Sequence, residues 1–219
     1  MTQPSQGRRP IASRDSGWAK NTASFLAKQN VSPNTISILS IVFAAISMAA
    51  FYLDATSTTF VVHAAMMTLA IVGIQGRLIM NLLDGMVAVE HDKKSAVGGI
   101  YNEVPDRVSD TFTLFGLIFL VKTQPYGSEL VYLAIALSIT TAYIRTLGAS
   151  LQVGHHFLGP MAKQHRMALV TGCCVIAIWY PPIFYYALIG MNIGLLITCY
   201  RRLACVYTLL NDSSNAKKE

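Results

Sequence analysis

The sequence predicts an all-α integral membrane protein, a bundle of six transmembrane helices preceded by an amphipathic helix lying in the membrane interface. Three observations carry this expectation. Of 219 residues, 53% are hydrophobic and 13% charged, whereas soluble domains carry about 25% charged residues. The apolar residues fall into six segments, and Lys and Arg gather in alternate connections between them, as they do around membrane spans.

Residues 1–14 are rich in Pro, Ser, Gln and Arg, a composition expected to order poorly until the chain meets a bilayer. No short apolar stretch with a small-residue cleavage site opens the chain, so a removable signal peptide is not expected. From Asp15 to Gln29 a helical pattern places Trp18, Thr22, Phe25 and Leu26, with the small Ala19 and Ala23, on one side and Lys20 and Lys28 at its margins. Ser32-Pro33-Asn34 breaks it. The apolar segments then run over 35–53, 59–89, 104–122, 128–151, 166–180 and 182–208. The expected organisation is a cytosolic segment 1–31 with the interfacial helix, a six-helix membrane domain 32–210 and a polar tail 211–219. About 20 residues cross a hydrocarbon core, so the second segment is longer than a span requires. Its end, carrying Asn81 and Asp84, should project into the headgroup layer. The fifth is short and bounded by Pro181-Pro182.

Arg8, Arg9, Arg14, Lys20 and Lys28 precede the first span; Lys93 and Lys94 follow the second; Lys163 and Arg166 follow the fourth; Arg201, Arg202, Lys217 and Lys218 end the chain. Lys122 alone falls on the other side. By the positive-inside rule both termini and the 90–103 and 152–165 loops are cytosolic. The net charge of +6 sits in these loops, which suits anionic lipid headgroups and excludes a nucleic-acid partner. Cys173, Cys174, Cys199 and Cys205 lie in apolar segments without a CxxC pair, so neither a disulfide framework nor a zinc site is expected. Without an internal repeat or broken midplane helices, a transporter is a weak alternative.

Ionisable groups in or at the ends of membrane helices are costly unless paired, hydrated or metal-bound. Two clusters stand out. Asn81, Asp84, Gly85 and Ala88 share one helical face through their spacing of three and four. Gly98, Asn102, Asp106 and Asp110 recur every four residues, with Pro105 expected in the first turn of the third span. A short loop between antiparallel helices brings the two faces together. Converging carboxylate and amide oxygens suit Mg²⁺ or Mn²⁺, and two such ions can neutralise a pyrophosphate.

The run Asn81-x2-Asp84-Gly85-x2-Ala88-Val89-x8-Gly98-x3-Asn102-x3-Asp106 resembles the CDP-alcohol phosphotransferase signature, D-x2-D-G-x2-A-R-x8-G-x3-D-x3-D, without a gap. The resemblance extends to six spans after an interfacial helix and to the Ser32-Pro33-Asn34-Thr35-Ile36-Ser37 lead-in. It implies transfer of a phosphatidyl or related group from a CDP-linked lipid donor to a small alcohol acceptor, with release of CMP. It also implies Mg²⁺ or Mn²⁺ as cofactor, the bilayer as setting and a homodimer as a partner known among relatives. Carried over by position, Asp84 and Asp106 bind metal with Asn81 and Asn102 as weaker ligands. Gly85, Ala88 and Gly98 shape the CDP pocket, and Asp106 is the base.

This chain departs from the signature at three positions: two aspartates are Asn81 and Asn102, and the arginine is Val89. Glu103 and Asp110 are candidate auxiliary acids, and Arg77, Lys93 or Lys94 candidate replacements for the arginine's charge. A register slipped by one turn aligns Asp106 and Asp110 with the last two aspartates at the cost of four extra spacer residues; Asp106 belongs to the site in both. Arg145, Lys163 and Arg166 are candidates for holding an anionic acceptor such as a phosphorylated alcohol. Against these stand plainer readings: Asp84 and Asp106 as helix-end acids neutralised by Arg77 or Arg107, the asparagines as interhelical hydrogen-bond formers, and His63 as a packing or interfacial residue. The rival function is a catalytically silent relative that binds CDP-lipid or a membrane partner, and the two asparagines are its support.

Overall fold

A computed structural model describes residues 12–90 and 96–215. Residues 1–11, and with them the expectation of disorder there, lie outside the described residues, as do Lys93 and Lys94. After a 3-10 turn at Ala12–Asp15 come α1 (Gly17–Lys28), α2 (Pro33–Ala55), α3 (Phe60–Glu90), α4 (Gly98–Gly116), α5 (Ile118–Val121), α6 (Gly127–Ser150), α7 (Lys163–Ala177) and α8 (Ile183–Asn215). The architecture is that of an all-helical membrane protein. α2, α3, α6 and α8 are each long and apolar enough to cross a membrane. The other two expected spans fall short of that description for physical reasons. α4 carries Glu103, Asp106, Arg107 and Asp110, and α7 has 15 residues, about 22 Å at the α-helical rise.

Several boundaries differ from those expected. α4 starts at Gly98, so Pro105 stands inside the helix and not in its first turn. There it leaves the Tyr101 carbonyl without its usual amide donor. The third apolar segment is also divided after Gly116, where a Cβ would lie 2.8 Å from the Phe51 ring. α8 continues to Asn215, past the expected start of the polar tail. In α1, Ala19 and Ala23 are buried against Leu82, Leu83, Met86 and Val87 of α3, while Trp18 and Phe25 are exposed. Small and large residues of this helix therefore divide between two surfaces. The alanines allow close packing on α3, and the aromatics stay outside.

α2 is the central strut, packed against both α3 and α4. Its buried face includes Ser37, Ser40, Ala44, Ser47 and Ala50, small residues at helical spacing that let neighbouring backbones approach, with Ile36, Phe51 and Asp54 beside them. Ser40 shares a hydrogen bond with Ser109 at 3.2 Å, and Ser47 one with Thr113 at 3.4 Å. On α3, Gly73 meets α2 so closely that a Cβ would lie 2.7 Å from the Phe43 carbonyl oxygen. At one end of the bundle His63 bridges Asp54 (2.7 Å) and the Ala177 carbonyl (2.8 Å), tying α2, α3 and α7. This lone histidine is a satisfied interhelical link. The functional residues lie at the other end.

Gly73→Leu is expected to cost about 1–3 kcal/mol by overpacking the α2–α3 seam, read as a lowered thermal unfolding midpoint in detergent. Gly172→Ala, where a Cβ meets nothing within 4 Å, should leave the midpoint unlowered. Equal effects from the two would refute a glycine-dependent seam.

Candidate active site

The long α3 delivers Asn81, Asp84, Gly85 and Ala88 to the end of the bundle where α2, α4 and α7 begin. There they line a cavity of about 860 Å³ together with Gly98, Asn102 and Asp106 of α4. The two helical faces inferred from spacing thus face a common space. Arg145 of α6, Lys163 and Arg166 of α7 and Arg202 of α8 complete the opposite wall, and Arg14 and Trp18 reach it from the N-terminal side. Acids come from the first half of the chain and most of the cations from the second.

Asp84 is buried, and its two oxygens differ. Oδ2 accepts a 2.5 Å hydrogen bond from the Ser37 hydroxyl of α2, while Oδ1 has no hydrogen-bond partner. A buried carboxylate oxygen without a donor is costly in a protein interior and calls for a cation. Asp106 is held differently. Its Oδ1 accepts from Lys163 Nζ at 2.5 Å, and Arg107 lies 3.6 Å from Oδ2. Asp84 also feels the charges of Asp106 and Lys163. Among the described residues no group of three or more His, Cys, Asp and Glu side chains is placed to hold a metal. The donor set is therefore two carboxylates plus the side-chain amides of Asn81 and Asn102, all oxygen ligands. Such a set fits a hard divalent ion, and the unpartnered Asp84 Oδ1 is the observation in its favour.

The auxiliary candidates separate. Asp110, one turn beyond Asp106, is not among the residues lining the cavity. It is buried and accepts from Arg77 Nη2 at 2.5 Å and from Arg166 Nη2 at 2.7 Å. Arg77 is fully buried, donates its other terminal nitrogen to the Met167 sulfur at 3.1 Å and does not line the cavity either. Its charge is committed to Asp110, so it does not stand in for the arginine missing at Val89. Glu103 also stays out of the lining; Arg145 Nη2 meets both of its oxygens, at 2.5 and 2.6 Å. Arg145 lies 5.6 Å from the Phe157 ring centroid as well, in the range of a cation–π contact. Arg166 serves two purposes, since it lines the cavity while bridging to Asp110 and to the Met161 carbonyl.

Sequence reasoning missed Ser37 and Arg202. Ser37 was visible as a polar residue within an apolar span, repeating with Ser40 and Ser47 at helical spacing. Arg202 bonds the carbonyls of Leu158 and Thr141 and so pins the loop before α7; no local motif marks it.

No family model matches the sequence. Inner membrane protein YnbA of Escherichia coli (strain K12) is 30% identical over 102 residues, 47% of this chain and 49% of that protein. The match thus spans about half the length of this relative. Among solved structures, the phosphatidylinositol phosphate synthase (PgsA1) of Mycobacterium tuberculosis with CDP-DAG bound superimposes with a TM-score of 0.70. The overlap covers 87% of this chain and 94% of that one at 18% identity. The same enzyme in complex with manganese and citrate gives a TM-score of 0.69, over 87% of this chain and 89% of that chain, again at 18% identity. The fold is shared.

Asp110→Asn is expected to destabilise the protein by about 3–5 kcal/mol, because it leaves two buried guanidinium groups without their counter-charge. Asp106→Asn, which removes one partner from a part-buried pair with a single lysine, should lower the unfolding midpoint by less than Asp110→Asn does. Thermal unfolding of both variants in one detergent decides; a larger loss for Asp106→Asn would overturn this division of labour.

Proposed function

We propose that this chain transfers a phosphatidyl or related substituted phosphoryl group from a CDP-linked lipid, such as CDP-diacylglycerol, to a small alcohol and releases CMP. One observation carries the reading. All seven signature positions that match or retain an oxygen donor, 81, 84, 85, 88, 98, 102 and 106, line one cavity with a buried, unpartnered carboxylate oxygen among them. The shared fold of a synthase crystallised with CDP-DAG supports it.

In this reading Asp84, Asp106, Asn81 and Asn102 would hold the divalent cofactor, Mg²⁺ or Mn²⁺, which when bound would supply positive charge to a pyrophosphate. Ser37 orients Asp84 by fixing Oδ2 and leaving Oδ1 for the ion. Gly85, Ala88 and Gly98 present little side chain, so the CDP moiety can lie against backbone. Arg145 and Arg166 supply charge for an anionic acceptor, while Lys163, held on Asp106, belongs with the acids. The acceptor hydroxyl oxygen forms a bond to the lipid-bearing phosphorus, the bond from that phosphorus to the CMP oxygen breaks, and Asp106 takes the hydroxyl proton. Arg77, Glu103 and Asp110 are positioning residues that act through their partners.

The membrane arrangement belongs to the same proposal. α4 with α5, and α7, complete six spans; Asp106, Arg107, Lys163 and Arg166 line the cavity, and Glu103 and Asp110 are paired with arginines of neighbouring helices. The positive-inside distribution places both termini and the cavity on the cytosolic side, where CDP-lipids and soluble alcohols meet.

A second reading, a silent binder of CDP-lipid, has the two amides and the Lys163–Asp106 contact in its favour. CMP release from CDP-diacylglycerol with Mn²⁺, over a panel of alcohols, separates them. Acceptor-dependent CMP is expected from the wild type, none from Asp84→Ala or Asp106→Ala, and about a tenfold or greater reduction from Ser37→Ala, the scale of one hydrogen bond to a charged group. CDP-lipid binding without CMP release for any acceptor would favour the silent binder.

A further inference from the structure

Four carboxylates balance two divalent ions, and two carboxylates balance one. The signature this chain resembles supplies four acids, but positions 81 and 102 are amides here, so Asp84 and Asp106 remain. Those two are not equivalent. Asp84 presents a buried oxygen with no partner, whereas Asp106 already has a cation on Oδ1, the Lys163 ammonium at 2.5 Å. Lys163 lines the same cavity. It is also the first residue of α7, where the helix dipole disfavours a cation. Asp106, across the cavity on α4, offsets that cost.

We propose that the Lys163 ammonium stands in the place of one of the two divalent ions, so that the site takes a single ion, held by Asp84 with Asn81. This rests on the CDP-lipid reading above and goes beyond it by assigning the number of ions and the reason for the two asparagines. A lysine supplies one fixed positive charge where a second metal would supply two. The loss of two carboxylates and one ion therefore keeps the cavity mildly positive instead of leaving it strongly so. Asp84, Asp106, one divalent ion and Lys163 sum to one net positive charge, the same sum as four carboxylates, two divalent ions and the arginine that Val89 replaces here. In this refinement Asp106 and Asn102 leave the metal set given above: Asp106 holds the Lys163 ammonium through Oδ1 and keeps its place as the proton acceptor.

The test is the stoichiometry of Mn²⁺ on the purified, EDTA-stripped full chain in detergent, with free Mn²⁺ followed by electron paramagnetic resonance and CDP binding by calorimetry. The wild type is expected to bind one Mn²⁺ per chain, and Asn81→Asp/Asn102→Asp/Lys163→Met two. Lys163→Met alone should keep one Mn²⁺ and lose CDP affinity by about tenfold or more, the scale of one charge-assisted hydrogen bond. Two ions on the wild type, or unchanged CDP affinity in Lys163→Met, would overturn the inference while leaving the CDP-lipid reading intact. A wild type that binds no CDP in the presence of Mn²⁺ would sink that reading and the inference with it. The wild-type count needs no variant, so it decides even if a substitution fails to fold.

Discussion

The arrangement of Arg77, Asp110 and Arg166 is the constraint on which the rest of the site depends. One buried carboxylate joins guanidinium groups from α3 and α7 to α4, at 2.5 and 2.7 Å. Charges are removed from water at a cost of several kcal/mol each, and only close mutual pairing offsets that cost. The three helices are consequently held in one register, because no shift of a turn preserves both contacts. Asp84 and Asp106, one to two turns toward the cavity from Arg77 and Asp110, inherit their facing positions from this link. Two guanidinium groups on one carboxylate also leave an excess of positive charge beside the cavity, which Arg166 itself lines.

Much of this was legible in the sequence where chemistry repeats at helical spacing. The faces 81-84-85-88 and 98-102-106 follow from periods of three and four, and the structure brings them to one cavity. The helical course of the chain was legible from its apolar segments, although the structure starts α4 at Gly98, ahead of the segment expected from 104, and divides that segment after Gly116. Partner choice was not legible. Nothing in the local sequence says that Arg77 reaches 33 positions ahead to Asp110, or that Arg145 reaches back 42 positions to Glu103. Such pairings depend on how helices dock, and sequence spacing within one helix carries no information about that. The same holds for α1, where a single amphipathic pattern hid two different surfaces.

Ser37 shows how a structural device and a site device merge. The hydroxyls of Ser40 and Ser47 knit α2 to α4 in the interior. Ser37, the next member of the stripe toward the cavity, turns the same chemistry onto Asp84. A small hydroxyl satisfies an otherwise stranded oxygen without adding bulk, which a longer polar side chain would do at this close contact. The seam and the site are thus built with one residue type, differing only in what each hydroxyl finds opposite it.

The connections of the bundle are unequal. At the His63 end they are short, spanning 56–59, 122–126 and 178–182, and a small hollow between the last two is lined by Val121, Gln124, Pro181 and Tyr185. At the cavity end the 151–162 stretch is longer. Its first residues close onto the end of α6, where the Val153 amide donates to the Gly148 carbonyl, and its later part is tied where the Leu158 carbonyl accepts from Arg202 and the Met161 amide donates to Thr198. Phe157 lies just ahead of those anchors and already lines the cavity. The lining of this cavity can therefore change by rewriting a few residues of that loop, while the helices that carry the acids stay untouched.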